Sequence, residues 1–539
     1  MCCVSHAEKT ARPKKKTAIN TIIFFIFVIL FFKRAKIRKN QCKQARELLF
    51  FKQLKFKISI ILFFIFLTAS TLSAQRNPKL SEPLSSISDY PTRAEAILRH
   101  LENHGYPFAT VSLQAADPEN GDMTPIIVID SNIFVTFDSI VLKGDVKLSK
   151  NFLYPYLGLR KGMAYNEELM RAVDQKLEEL PFATVAQPSG VSFVKDKAYL
   201  YVYLNSRKTN QFDGYIGLVP ADEKTGKVSV QGDLSLALQN IFRQGESIAL
   251  HWNSSERKSQ HLDLAVKFPY LFRTRFGVEG SFLLDKKDTS YLNLNYHIGI
   301  PYAFINNSYI KPYFDYTSSS VLSPTLLQFG NDSSFIDFRK TLYGLKVHYR
   351  TLDYLFNPRK GVDVWADLSV GRRKIIPNSH VEASFYDNLT LQTTTYRLCG
   401  AIRGYIPAGK HFVITPQVQA GSLLAGPHYF NELFKIGGPG FIRGFNPNDI
   451  YASTYLLYSA EFRYLFGKNS FVNLFFDGGV YEQQMENRYL FDTPFGFGAG
   501  VHLAVKSGIF YLEYALGRQF GNPISFKTGK IHFGIQVGF

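Results

Sequence analysis

From residue 211 onward the chain is a series of short segments in which apolar and polar residues alternate. The segment 529–539 shows this most plainly, since every second residue from Ile531 to Phe539 is apolar and His, Gln or Gly stand between them. A period of two places alternate side chains on opposite faces of a β-strand. The pattern therefore predicts a large antiparallel sheet with one apolar and one polar face.

Sixteen segments of this kind predict a membrane all-β protein, a 16-stranded antiparallel transmembrane β-barrel over residues 211–539. The predicted strands are 211–218, 227–239, 244–254, 259–268, 273–284, 288–298, 308–318, 340–351, 360–372, 391–404, 411–423, 455–466, 471–482, 494–506, 508–519 and 529–539. The long connections, 319–339, 373–390 and 424–454, all fall at one end of these strands. Outer-membrane barrels have long outer loops and short periplasmic turns, so the connection lengths support the strand count.

Residues 76–210 depart from this pattern because helical and strand periodicities are mixed. Apolar residues at helical spacing predict helices over 91–104 and 166–180. Strands are predicted over 134–142, 190–194 and 198–204. We therefore expect an α+β region before the barrel, with one domain over 133–210 and a partial one over 75–132.

The first 74 residues carry targeting features. A basic stretch, an apolar run and small residues predict a signal peptide over 58–74, cleaved between Ala74 and Gln75. Residues 1–57 form a basic front segment, interpreted as a misassigned start or, alternatively, a membrane anchor. They hold fifteen Lys or Arg against two acidic residues, which is +13 of the total charge of +18. Because the basicity belongs to this segment, no nucleic-acid partner is predicted.

A glycine-rich loop, 437–445, follows the eleventh predicted strand and contains a single charged residue, Arg443. Glycine lets the backbone bend tightly and approach other backbone closely. A buried arginine needs acidic partners, because an unpaired buried charge is costly. Glu461 and Asp477 fall on the polar faces of the next two predicted strands. The sequence thus predicts that Arg443 folds back to meet these carboxylates.

The tip of this loop, Ile-Arg-Gly-Phe at 442–445, resembles the sixth surface loop of the BamA/TamA superfamily of outer-membrane proteins, of the bacterial surface antigen type. Phe-Phe-Asp-Gly-Gly at 475–479 resembles the family's Phe-x-Asp-x-Gly strand motif, and 357–361 resembles its Pro-x-x-Gly turn. The resemblance covers about 134–539 and implies that the loop is locked inside the barrel. The implied loop–barrel lock consists of Arg443, Gly444, Phe445, Glu461 and Asp477.

The order strand, helix, helix, strand, strand within 133–210 resembles a POTRA domain, and 75–132 a shortened copy. The resemblance implies a bacterial outer-membrane protein with periplasmic POTRA domains that assists insertion or translocation of other proteins. Implied partners are unfolded outer-membrane client proteins, outer-membrane lipids and possible periplasmic accessory proteins. The terminal Phe539 resembles the signal that barrel-assembly machinery reads.

Two alternatives stay open, a polypeptide secretion pore of the two-partner type and a passive channel or surface adhesin. No plug helix of the kind expected for the former is apparent in 76–90. The chain contains no His-Glu-x-x-His, Gly-x-Ser-x-Gly or P-loop motif, and only Cys399 follows the predicted cleavage site. Glycines at 496, 498 and 500 mimic a nucleotide fingerprint but precede no predicted helix. We therefore predict a non-enzymatic protein with no cofactor, nucleotide or metal.

Overall fold

The computed structural model describes residues 90–117, 122–222, 227–254, 258–304, 308–323, 335–379, 381–387, 389–424, 426–485, 488–505 and 508–536. The predicted front segment, the signal peptide with its cleavage site at Ala74 and Gln75, and Phe539 lie outside these residues. Within the described part of the chain, no helix is long and apolar enough to cross a membrane.

The chain before the barrel forms two small sheets with helices. Helix α1 (Tyr90–Glu102) precedes an antiparallel hairpin of β1 (Thr110–Asp117) and β2 (Asp122–Asp130). The following elements are β3 (Thr136–Lys143), α2 (Lys150–Leu157), α3 (Glu167–Arg171), α4 (Val173–Glu178), β4 (Ala183–Val194) and β5 (Lys197–Ser206). The second sheet has the order β3-β5-β4, with β3 parallel and β4 antiparallel to β5.

Local sequence explains the helices of this α+β region. The Ser149 side chain caps α2 by accepting a hydrogen bond from the Asn151 amide, and Gly158 ends the helix in the left-handed conformation. The predicted helix over 166–180 is instead two helices, because Ala172, at φ −80° and ψ −7°, lies near the bridge region between them. Their apolar faces, with Leu177 fully buried, pack on the sheet.

Sixteen strands of at least seven residues make up the large sheet in the described part of the chain. They are β6 (Gln211–Asp222), β7 (Lys227–Gln239), β8 (Ser247–Asn253), β9 (Gln260–Phe268), β10 (Val278–Lys287), β11 (Tyr291–Gly299), β13 (Tyr309–Val321), β14 (Phe338–Arg350), β15 (Gly361–Ile375), β16 (Gln392–Pro407), β17 (Phe412–Leu424), β20 (Thr454–Leu465), β21 (Phe471–Gln484), β23 (Phe495–Val505), β24 (Gly508–Arg518) and β25 (Lys530–Gln536). Two short strands extend the same sheet, β12 (Tyr302–Ala303) and β22 (Tyr489–Asp492). Neighbours in sequence pair antiparallel, and the strand order places β25 beside β6.

Before the large sheet, β4 begins at Ala183 and not at the predicted 190, because register shifts between Val185 and Gly190 interrupt its alternation, and the β1–β2 hairpin was not predicted. From residue 211 onward the structure differs from the predicted strands at two main places. β10 begins at Val278 and not at 273, because Phe272 and Arg273 adopt positive φ and form a turn there. The long connection after β17 contains a small hairpin, β18 (Phe434–Ile436) with β19 (Ile450–Ala452), which the alternation did not predict. Three-residue strands give too short a pattern to detect.

The two faces of the large sheet differ in chemistry, as β21 shows. Leu474 and Phe476 are 63% and 41% exposed on one face, whereas Asn473 and Asp477 are each 2% exposed on the other. The same contrast holds in β25, where Ile531 and Phe533 are exposed and His532 is buried. An apolar outer band around a polar inner face is the arrangement of a membrane barrel.

The α+β region contacts the end of the sheet that carries the short turns. The amide of Ser149 donates to the carbonyl of Arg243, and the ring of Phe152 lies 5.7 Å from that of Tyr270. On other turns, Gln175 donates to the carbonyl of Asp353 at 2.6 Å. These contacts place the α+β region at the end opposite the three long connections.

Candidate functional site

The connection between β17 and β20 lies against the polar face of the sheet and forms the candidate site. It contains a 3-10 helix (Phe430–Glu432), the β18–β19 hairpin and the glycine-rich segment. Ile442, next to the loop arginine, is fully buried in an apolar cluster with the hairpin residues Ile436 and Ile450. Phe445 belongs to the same cluster and is 8% exposed. Apolar packing thus shapes the loop before any charge is considered.

Arg443 makes five side-chain hydrogen bonds to the sheet. Its Nε and Nη2 donate to the two oxygens of Asp477 at 2.7 and 2.8 Å, in a bidentate pair. Nη1 donates to Glu461 at 3.1 Å, and Nη2 also contacts the hydroxyl of Ser459 at 3.3 Å. The backbone amide of Arg443 donates to Asp477 at 3.0 Å. The two predicted carboxylates therefore both contact the arginine.

A third carboxylate, Glu513 on β24, was not predicted. It accepts a hydrogen bond from Arg443 Nη1 at 3.1 Å. Asn473 donates to the same oxygen at 3.1 Å, and Nε2 of His502 lies 3.3 Å from it. The sequence could have indicated this partner, since Glu513 is the only charged residue between 508 and 517.

Glycines on both sides allow the loop tip to lie against the sheet. Gly444 has a φ of +94°, and a Cβ there would lie 2.7 Å from the amide nitrogen of Gly517. A Cβ at Gly496 would lie 2.0 Å from the carbonyl oxygen of Arg443. Gly496, the first of the three glycines that mimic a nucleotide fingerprint, thus lies where strand β23 meets the loop.

The electrostatics of the site keep Arg443 charged. Burial alone would lower its pKa, but hydrogen bonding to Asp477 and the charges of Glu461 and Glu513 raise it above the ordinary value. The guanidinium carbon also lies 3.5 Å from the centre of the Phe475 ring, within range of a cation–π contact. Among the described residues, no group of three or more His, Cys, Asp or Glu side chains could hold a metal ion. The arrangement suits holding a loop.

Comparison with known proteins agrees with this geometry. The Omp85 superfamily domain matches residues 240–539. The chain belongs to the Omp85 superfamily. This confirms the family resemblance predicted from the loop tip and the β21 motif.

Solved structures of CdiB share the fold of this Omp85 chain. CdiB from Escherichia coli is 13% identical over 83% of this chain and 84% of its own, with a TM-score of 0.51. CdiB from Acinetobacter baumannii is 15% identical over 88% and 86%, also with a TM-score of 0.51. BamA from Haemophilus ducreyi lacking POTRA domains 1–3 is 15% identical over 84% and 93%, with a TM-score of 0.45. No curated protein sequence matches significantly.

A second anchor of the Omp85 loop, which sequence reasoning missed, lies about ten residues before Arg443. Glu432 accepts a hydrogen bond from Arg373 on β15 at 2.6 Å, and the two side chains are 3% and 1% exposed. Arg373 also donates to the carbonyl of Pro427 at 2.8 Å, and its guanidinium carbon lies 5.0 Å from the ring centre of Tyr429. This pair could not be predicted from parity alone, because 432 lies in a loop without periodicity.

Further polar contacts fix the same part of the loop. Asn431 donates to the hydroxyl of Ser319 at 2.6 Å and to the carbonyl of Ile336 at 2.8 Å. Lys435 on β18 pairs with Asp285 on β10. The loop is therefore attached to strands β10 to β15 through one half and to β20, β21 and β24 through the other.

Proposed function

We propose that this Omp85 protein is an outer-membrane assembly factor, which inserts other proteins into the outer membrane or translocates them across it. In this proposal residues 211–539 are a 16-stranded transmembrane barrel. Residues 133–210 are a POTRA domain and 75–132 a partial one, both periplasmic. The clients are unfolded outer-membrane proteins, and no catalysis, cofactor or nucleotide takes part.

The observation that carries the proposal is the meeting of the first and last strands, β6 and β25, which we call the seam. β6 and β25 stand at opposite ends of the strand series, so no turn connects them and only contacts across the seam hold their edges together. Unpaired edges accept additional strands, so an opened seam can pair with a client strand.

The α+β region adds a second exposed edge. In the sheet order β3-β5-β4, strand β4 pairs only with β5 among the described residues. An extended client segment can add to such an edge through backbone hydrogen bonds, which makes binding tolerant of client sequence. This supports a role in receiving unfolded chains before they reach the seam.

Locking the seam tests the proposal. In a Cys399→Ser background, Ile531→Cys or Phe533→Cys is combined with Phe212→Cys or Ile216→Cys. All four side chains are exposed on the apolar face. The four cysteine pairs correspond to four possible registers of β25 against β6. Only a pair whose Cα atoms lie about 4.4–6.8 Å apart can form a disulfide, so at least one register should allow crosslinking. We expect oxidation of the purified protein in lipid vesicles to stop insertion of a porin client, and reductant to restore it.

The control pair joins β24 to β25 on one side of the seam. Leu512 and Phe533 are register partners and both are exposed, so Leu512→Cys with Phe533→Cys should form a disulfide without closing the seam. Unimpaired client insertion with the seam fully crosslinked would refute lateral insertion.

The secretion pore is the second candidate, because the anchored loop occupies the polar inner side that a translocated chain would follow. A disulfide holding the loop would then stop export while a crosslinked seam would not. If neither lock has an effect on any protein client, a passive channel or adhesin is favoured.

A further inference from the structure

A cleft of about 500 Å³ lies where the α+β region meets the first strands of the large sheet. Its walls come from the turn before α2, the linker that follows β5, and the turn between β7 and β8. Four basic residues line it, namely Lys147, Arg207, Lys208 and Arg243. No part of the loop–barrel lock contributes to this cleft, so it is separate from the candidate site.

Among the described residues that line the cleft, four basic side chains stand against one carboxylate, Asp145, so positive charge is in excess. Among the described residues, none of the four basic side chains forms an ion pair. The acidic lining residue, Asp145, accepts hydrogen bonds from the amide and hydroxyl of Ser206 at 2.5 and 2.9 Å, which lower its pKa. Glu246, under the β7–β8 turn, is likewise engaged by two backbone amides, those of Phe242 and Gln244.

A buried donor in the wall of the cleft also lacks a partner. Gln239 lines the cleft at the end of β7 and is 7% exposed. Its Nε2 has no hydrogen-bond partner among the described residues, although its backbone amide donates to Asn210 at 2.8 Å. Buried polar groups are almost always hydrogen-bonded, so this donor is available to an acceptor that enters the cleft beside the four basic side chains.

Exposed apolar side chains continue from the cleft along the outer face of the sheet. Phe212 on β6 is 75% exposed, and Ile241 and Phe242 in the β7–β8 turn are 46% and 58% exposed. Phe242 stacks on Phe268 of β9, with ring centres 6.3 Å apart. Aromatic side chains at the rim of a membrane barrel lie at the level of the lipid headgroups. The cleft and this apolar strip together match a molecule with an anionic head and apolar chains.

We propose that this cleft binds the phosphate headgroup of an acidic glycerophospholipid from the leaflet next to the α+β region. The planar guanidiniums of Arg207 and Arg243 suit bidentate binding of phosphate oxygens, while Lys147 and Lys208 supply point charges. The acyl chains would lie along Phe212 and Phe242. A headgroup bound there would contact both the α+β region and the base of β6, and so link the orientation of the α+β region to the lipid. This site rests on the membrane barrel of the proposed function, but it does not depend on a role in inserting or translocating client proteins.

Binding of short-chain lipids to the full chain in neutral detergent tests the proposal. Dihexanoyl phosphatidylglycerol is titrated by calorimetry against dihexanoyl phosphatidylcholine, glycerol phosphate and a hexaglutamate peptide. We expect phosphatidylglycerol to bind and the Arg207→Gln/Arg243→Gln variant to weaken that binding by about tenfold or more. Gln239→Met, which changes no charge, should weaken it by about threefold, as loss of one hydrogen bond does.

The matched control, Arg339→Gln/Arg372→Gln, removes two exposed arginines at the long-loop end of the sheet and should leave binding within about twofold of the parent. Retained heat-modifiable mobility shows that each variant is folded. Equal affinity for the two lipids, or unchanged binding in both cleft variants, would overturn the proposal. Tighter binding of glycerol phosphate would assign the cleft to a soluble phosphate, and tighter binding of hexaglutamate to an acidic peptide. Either result would also overturn it.

Discussion

Replacing Arg443 by alanine removes the side-chain hydrogen bonds by which this residue joins the loop tip to β20, β21 and β24. Five hydrogen bonds are lost, together with the contact over the ring of Phe475. Among the described residues, the carboxylates of Glu461, Asp477 and Glu513 would then have one guanidinium nearby, that of Arg463, which pairs with Glu461 at 2.6 Å. Repulsion among these carboxylates, together with the lost attraction to Arg443, lowers the stability of the docked loop.

The size of the effect follows from how deeply these groups are buried. Breaking a well-buried ion pair costs about 3–5 kcal/mol, whereas an exposed pair contributes about 0–1 kcal/mol. The side chains of Arg443 and Asp477 are only 11% and 2% exposed, which places this pair near the buried limit. Water entering the site offsets part of the cost, so we expect about 3 kcal/mol. That corresponds to roughly a hundredfold shift towards the undocked loop. Because the anchor at Glu432 remains, the barrel should still assemble.

Labelling of a buried cysteine by a membrane-impermeant maleimide measures this shift. Ile442→Cys, fully buried in the parent, reports on docking in a Cys399→Ser background, and Ser384→Cys in an exposed loop gives the reference rate. Arg443→Ala should speed labelling at 442 towards the reference rate and reduce client insertion. Arg443→Lys should restore docking only in part, because an ammonium cannot bond both oxygens of Asp477 in the bidentate way.

Arg372→Ala is the matched control, since it removes an exposed arginine near the outer end of β15. It should change neither labelling nor insertion. The reasoning is refuted if Arg443→Ala leaves the labelling rate at 442 and client insertion at the parent values. Full rescue by Arg443→Lys would show that charge alone, without the bidentate geometry, holds the loop.

Four further predictions follow from the structure and the sequence. Gly496→Ala should undock the loop like Arg443→Ala, by the same labelling assay, whereas Gly280→Ala, whose Cβ would meet nothing closer than 3.8 Å, should not. Burial alone would raise the pKa of Glu432, but a hydrogen bond with His428 and the charges of Lys340 and Arg373 hold it at about 2. This anchor should therefore be intact above about pH 5 and be lost as pH falls towards 2, measured as a rise in the labelling rate at 442 relative to the Ser384→Cys reference at the same pH. Phe539→Ala should lower outer-membrane levels of the protein on membrane fractionation without lowering secretion to the periplasm. N-terminal sequencing of the outer-membrane form should begin at Gln75, and a terminus within residues 1–57 would contradict both the signal-peptide and the start-site interpretations.

The regular parts of this fold could be predicted because period-two alternation is a local property. β21 and β24 lie within two residues of their predicted bounds, because every second residue over 472–476 and 510–514 is apolar and lies on the outer face of the sheet. The prediction fails where backbone conformation, and not side-chain burial, determines where a strand begins. At Phe272 a positive φ forms a turn, so β10 begins later in the sequence than predicted. The α3–α4 break at Ala172 is of the same kind.

The candidate site could be predicted where strand parity applies. Glu461 and Asp477 were assigned to the polar face because their neighbours alternate, and Arg443 contacts both. Strand parity assigns a side chain to a face of the sheet, but it does not show which inward side chains lie near each other. For this reason Glu513 was not identified as a third partner of Arg443. Glu432 lies outside any strand, so its pairing with Arg373 depends on the path of the whole loop.

The two anchors use opposite charges, and this specifies how the loop lies. Its tip presents a cation, Arg443, to a wall whose inward carboxylates lie on β20, β21 and β24. Its earlier half presents an anion, Glu432, to Arg373 and Lys340 on β15 and β14. A loop turned end for end would bring like charges together at both walls, which is unfavourable at short range in a weakly hydrated interior. The charges therefore fix one docked orientation of the loop. When the loop undocks, water hydrates the released charged groups, and this hydration lowers the free-energy cost of undocking. That combination suits a loop that must lie in one place and still be able to leave it.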